Sequence, residues 1–119
     1  MTPLWTVEFY EDDEGGCPVR EFLEALDKPR RAKVVAMIAL LAERGPTLPF
    51  PYSSQVKGKI RELRTHYGKE HFRVLYSGVP GRAFVLLHAL GKISEKIPAG
   101  DVELAEARRK KRIEQREHH

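Results

Sequence analysis

The chain has 119 residues, 41% of them hydrophobic and 32% charged, the balance of a folded globular protein rather than of a disordered or membrane-embedded one. That length suits one compact domain, residues 1–119, with one core and one site. A formal charge of +4 and a pI near 9.3 favour polyanionic partners: RNA, DNA or an acidic protein segment.

The longest apolar run, Val34–Ala42, falls far short of the roughly 20 residues that a bilayer crossing needs. The opening Met1–Glu8 has no basic stretch followed by an apolar one, so no signal peptide is expected. Cys17 is the single cysteine and has no internal disulfide partner, which suits a reducing compartment. The expectation is a cytoplasmic protein without membrane contact.

Trp5, Val7 and Phe9 alternate with Thr6, Glu8 and Tyr10, the period of a half-buried strand, and Glu11–Gly16 ends it as a polar loop. Val19, Phe22, Leu23 and Leu26 then make one apolar helical stripe behind Pro18. Pro29 restarts the pattern. Val34, Met37, Ile38 and Leu41 line a second helix that Arg44-Gly45-Pro46 stops, and the two helices are expected to form an αα-hairpin.

Thr47–Ser54 carries Pro49 and Pro51 and reads as a loop. Ile60–His66, Phe72–Ser77 and Ala83–Ala89 read as antiparallel strands, the last two joined by a turn at Val79-Pro80-Gly81-Arg82. The third is apolar at both parities and should be covered on both faces, while the mixed parity of Ile60–Leu63 suggests a bulge. Asp101 is placed to cap a final helix that contacts the body through Val102, Leu104 and Ala105. From Arg108 on this helix becomes a basic tail that should bury almost nothing; His118 and His119 are set aside as tag residues. The fold class is therefore α+β: a small antiparallel sheet with an N-terminal helical hairpin and a C-terminal helix.

Chemistry concentrates between Lys57 and Arg73, where Lys57, Lys59, Arg61, Arg64, Lys69 and Arg73 surround His66 and His71, opposed only by Glu62 and Glu70. Strand alternation puts Glu62, Arg64 and His66 on one face. Arg73 should point away from Phe72 and Val74, free to clamp a phosphate with two donors. Tyr67 and Tyr76 are candidates for stacking on an unpaired base, with Tyr76 at the parity of the core. No metal-ligand spacing or phosphate-cradling glycine loop is present, so neither metal nor cofactor is expected.

The order of elements, with Glu62-Leu63-Arg64, Arg73-Val74-Leu75-Tyr76, Leu86-Leu87-His88, Lys92, Lys96-Ile97-Pro98 and Ala105, resembles the phage-derived HigB-like branch of the RelE/ParE toxin superfamily. The resemblance runs from the first strand to about Ala107. It departs at Leu90-Gly91, where these toxins often carry an aromatic residue and a first lysine, and at Ile97, where a small polar residue is usual.

The resemblance implies the toxin of a type II toxin–antitoxin system: a metal-independent endoribonuclease cutting messenger RNA on the ribosome. Its partners would be a cognate antitoxin, messenger RNA and the ribosome, with operator DNA reached only through the antitoxin complex. Metal-free cleavage by the 2′-hydroxyl needs a base, stabilisation of phosphate charge and a proton for the leaving oxygen. By resemblance Glu62, Arg64 and Arg73 occupy positions of the toxins' motif. Arg64 and Arg73 are assigned to phosphate stabilisation, and Glu62, kept ionised by the neighbouring cations, is the candidate base. His66 or His88 is the candidate acid, because histidine is the residue type that changes charge near neutral pH. Lys57, Lys59, Arg61, Lys92 and Lys96 would hold flanking RNA.

The plain alternatives are cross-strand ion pairing for Glu62 and Arg64, a hydrogen-bonded core histidine for His88, and solvated lysines at Lys92 and Lys96. At the level of function the alternatives are a ParE-like inhibitor of DNA gyrase on the same fold, or a non-catalytic nucleic-acid-binding regulatory module.

Overall fold

In the computed structural model, residues 4–91 and 96–117 are described, and they build an α+β domain. In chain order the elements are β1 (Thr6–Phe9), α1 (Pro18–Ala25), α2 (Lys28–Arg44), a 3-10 turn (Gly45–Thr47), β2 (Ser53–Lys57), β3 (Ile60–Tyr67), β4 (Glu70–Val79), β5 (Ala83–Gly91) and α3 (Ala99–Glu117). The strands form a five-stranded sheet in the order β1-β5-β4-β3-β2.

This sheet is mixed, which corrects the antiparallel expectation. β2 to β5 pair antiparallel through short turns, but β1 runs parallel to β5, Thr6 opposite Ala83 and Phe9 opposite Leu86. The helices and strands lying between β1 and β5 in sequence make the crossover that parallel pairing requires. Local alternation in Trp5–Tyr10 marks a strand without specifying its neighbour or its direction.

A second correction concerns Thr47–Ser54. The loop ends at Tyr52, and Ser53–Lys57 forms the edge strand β2. Its sequence, Ser-Ser-Gln-Val-Lys, lacks an apolar alternation because only one neighbour strand and little core lie beside it. The expected irregularity near Ile60 is present, in the partner strand: the ladder shifts register between Gln55 and Lys57 opposite Arg61 and Ile60.

The two faces of the sheet carry separate clusters. On one, α1 and α2 bring Val19, Leu23, Val34, Met37 and Leu41 against Leu63, Phe72, Val74, Tyr76, Phe84 and Leu86. On the other, Ile97 and Ala105 of the α3 segment pack on Ile60, Leu75, Val85 and Leu87. β5 is thus covered on both faces, as its unbroken apolar run requires. A bulge between Leu75 and Tyr76 of β4 and their partners lets Leu87 and His88 both face α3.

α1 and α2 are separated only by Leu26 and Asp27, yet they pack chiefly on the sheet, α1 on β5 and α2 on β3, rather than as a hairpin closed on itself. Asp27 caps α2 by accepting the Arg30 amide at 3.1 Å. Gly45 ends α2 with φ +55°, and a Cβ there would lie 2.3 Å from the Trp5 indole nitrogen. Only glycine allows the Trp5 indole to lie that close to the end of α2.

α3 begins at Ala99, so Asp101 sits inside its first turn instead of capping it, and its carboxylate goes to His88. Nor is the basic end of α3 a free tail. Arg112 ion-pairs with Glu8 of β1, Lys111 with Asp13 at 2.9 Å, and Gln115 donates to Glu11 O and Asp13 at 3.1 Å each. The acidic strand and loop near the N-terminus dock the cationic helix, a long-range pairing that composition cannot reveal. Among the described residues, no helix is long and apolar enough to cross a membrane.

Candidate nucleic-acid interface and active site

β3 and β4 carry the cluster. Arg64 and Arg73 are directly opposed across the ladder, an arrangement in which like charges repel. Glu62, two residues before Arg64 on the same face, lies between them: its Oε1 is 3.3 Å from Arg73 Nη1 and 3.6 Å from Arg64 Nε. Burial is asymmetric, because the Glu62 and Arg73 side chains are 9% and 10% exposed but Arg64 is 34% exposed.

Glu62 Oε1 is sealed from solvent and accepts no hydrogen bond. The carboxylate therefore balances the arginines by charge without engaging the N–H donors of either in a hydrogen bond at that oxygen. Two guanidiniums sharing one carboxylate leave a net positive charge, which suits a phosphate. The buried oxygen is better placed to orient the two arginines than to reach a substrate proton.

Beside this cluster, the β2–β3 hairpin and α3 enclose an open groove of about 970 Å³. Glu62 and Arg73 line it, with Lys57 and Lys59 from the hairpin, Lys96 ahead of α3, and Arg109 and Lys110 on α3. Val56, Ile60, Ile97 and Val102 give it an apolar floor. Glu106, on the α3 side, is clamped by Arg109 at 3.0 and 3.1 Å, and that hydrogen-bonded pairing holds its carboxyl below the ordinary range.

Several expected site residues lie elsewhere. Arg61 points to the α1–α2 face, donating to Ser53 Oγ at 3.1 Å, Gln55 Oε1 at 3.3 Å and Tyr76 OH at 3.4 Å. Alternation along β3 separates it from Glu62 and Arg64. His88 is held by α3, its Nε2 2.7 Å from Asp101 Oδ1 and its Nδ1 3.1 Å from Arg108 Nη1. Arginine only donates, so Nδ1 accepts and Nε2 donates to Asp101, leaving neither ring nitrogen for a substrate. Both ring nitrogens of His88 are thus engaged within the protein, between Asp101 and Arg108.

His66 is exposed, on the face of Glu62 and Arg64 but beyond them, with the His71 ring 6.1 Å away across the ladder. Lys57, Lys59 and Lys96 are exposed at the groove. Lys92 lies outside the described residues. Tyr76 is buried, its hydroxyl 2.6 Å from Ser53 Oγ, and Tyr67 is covered by the Arg30 guanidinium 4.7 Å above its ring. Among the described residues no group of three or more His, Cys, Asp or Glu side chains could hold a metal ion.

The sequence reading missed two exposed aromatics. Phe50 and Tyr52 stand in the turn before β2, and the Arg64 guanidinium lies 5.4 Å from the Phe50 ring. The signal was present: two aromatics in a proline-rich polar segment, outside any apolar stripe.

Fold and site together define a small α+β protein whose sheet presents two arginines sharing one buried carboxylate beside a basic groove. The chain belongs to the phage-derived Gp49-like protein family (DUF891), whose model matches residues 21–110. That family is related to the RelE-type toxins of toxin–antitoxin systems. The matched span covers α2 through β5 and all three residues of the Arg64–Glu62–Arg73 cluster. No curated protein matches the chain.

Proposed function

We propose that this chain is the HigB-like toxin of a type II toxin–antitoxin system, acting as a metal-independent endoribonuclease on messenger RNA, with a cognate antitoxin and the ribosome as partners. One observation carries the reading: Arg64 and Arg73, opposed on adjacent strands, share a single buried carboxylate and keep a net positive charge beside a basic groove. Arg73 is the fixed half of the phosphate clamp and Arg64 the accessible half. Glu62 orients both, and acts as base only through its second oxygen. His66 is the acid–base group left on the open face of β3 once His88 is tied to Asp101 and Arg108.

The test is expression in bacteria of wild type, Arg73→Ala and the more exposed Arg64→Ala, with growth followed and messenger RNA ends mapped by primer extension. Arrest with new, discrete RNA ends, lost in both variants while each stays folded, is the expected result. A second reading, inhibition of DNA gyrase on the same fold, is favoured by the withdrawal of His88 and the sealing of Glu62 Oε1. Arrest with intact messages would end the nuclease reading and favour that one.

A further inference from the structure

The turn before β2 exposes two aromatic side chains that no core contact explains. Phe50 is 71% exposed and Tyr52 47% exposed, in the segment Pro49-Phe50-Pro51-Tyr52. The turn is well defined: the amides of Tyr52 and Ser53 both donate to Pro49 O, at 3.0 and 3.1 Å, and the Arg64 amide donates to Tyr52 O at 2.9 Å. These bonds tie the turn to β3 at the residue that begins the arginine cluster. The Arg64 guanidinium lies 5.4 Å from the Phe50 ring and 3.6 Å from the Glu62 carboxylate, which in turn is 3.3 Å from Arg73. Phe50, Arg64, Glu62 and Arg73 thus form a continuous row from an open aromatic face to a buried cation.

We propose that Phe50, supported by Tyr52, is a stacking platform for one unpaired base of a single-stranded RNA whose phosphate is held by Arg64 and Arg73. The assignment rests on the RNA reading of the cluster. An aromatic face beside guanidinium groups matches the two halves of a nucleotide, a flat base and an anion joined through one ribose. Single-stranded nucleic acids are bound by this combination of stacked aromatics and cationic contacts. A base-paired helix keeps its bases stacked internally and offers none to Phe50. The turn is already ordered by its hydrogen bonds, so stacking requires little further ordering of the protein.

The experiment is fluorescence anisotropy with wild type, Phe50→Ala, Phe50→Trp and Tyr52→Ala, titrated with a labelled unstructured RNA oligonucleotide at low salt. Competition by inorganic polyphosphate, an anion without bases, is measured in parallel, and circular dichroism checks each fold. Expected is a roughly 10-fold weaker RNA affinity for Phe50→Ala, near-wild-type affinity for Phe50→Trp, a smaller loss for Tyr52→Ala, and no change with polyphosphate. Equal RNA affinity of wild type and Phe50→Ala would overturn the platform while leaving the RNA reading intact. Equal losses on RNA and polyphosphate would also overturn it, by showing that Phe50 acts only by holding Arg64. Absence of RNA binding by the wild type would remove the RNA reading itself, and the platform with it.

Discussion

Removing Glu62 should cost far more stability than removing Arg64, because the carboxylate is what allows Arg73 to be buried. At 3.3 Å and an effective dielectric of about 20, the Glu62–Arg73 attraction is about 5 kcal/mol before desolvation is subtracted. Taking away one member of such a pair leaves an uncompensated charge in a site about nine-tenths buried, a loss of about 3–5 kcal/mol. Arg64 sits at a similar distance, 3.6 Å, but a third of its side chain meets solvent, and screening should reduce its share to under about 1 kcal/mol. The assay is urea denaturation of Glu62→Met, Arg73→Met, Arg64→Ala and the double variant Glu62→Met/Arg73→Met. Each methionine single should lose several kcal/mol, and the double should recover much of that loss, because an apolar pair leaves no buried charge. Additive losses in the double variant, or a loss below about 1 kcal/mol for Glu62→Met, would refute the reasoning. The same numbers explain why Arg64→Ala is the cleaner probe of activity: it removes a guanidinium from the cluster with little cost to the fold.

Gly45→Ala should destabilise by about 2–5 kcal/mol in a denaturant melt, since it combines a positive φ with a Cβ placed 2.3 Å from the Trp5 indole. Arg112→Ala should cost about 1 kcal/mol and speed amide exchange in residues 109–117 without altering the sheet, because Arg112 ties α3 to Glu8. Glu106 is held below its ordinary value of 4.5 by its hydrogen bond to Arg109, so its contribution is present above that value and is lost as pH falls through the lowered one. Accordingly, the gap in melting temperature between wild type and Arg109→Gln should be open at neutral pH and close in acid; a constant gap would contradict the assignment.

Much of the scaffold was legible in local patterns. The helical stripes of Val19–Leu26 and Val34–Leu41, the three strands from Ile60 to Ala89 and the burial of Tyr76 all follow from alternation or helical spacing, because core contact is periodic along an element. The shared face of Glu62 and Arg64 follows from the same rule. β2 escaped because an edge strand with one valine carries almost no apolar signal.

What the sequence by itself determined was periodicity, chain stops and the clustering of charge between Lys57 and Arg73, since each depends on neighbours a few residues apart. Only the tertiary structure decided which of those charges meet. Pairing of β3 with β4 set Arg64 against Arg73, and the neighbouring β2 gave Arg61 its partners Ser53 and Gln55. Docking of α3 withdrew His88 by pairing it with Asp101 and Arg108, and matched Arg112 and Lys111 to Glu8 and Asp13, about a hundred residues away in sequence. Likewise the parallel course of β1, and the exposed Phe50 beside Arg64, depend on contacts between distant segments. Composition records how many cations a chain has; packing distributes them between ion pairs that hold the fold, such as Arg73–Glu62 and Arg112–Glu8, and cations left exposed at the groove, such as Lys57 and Lys59.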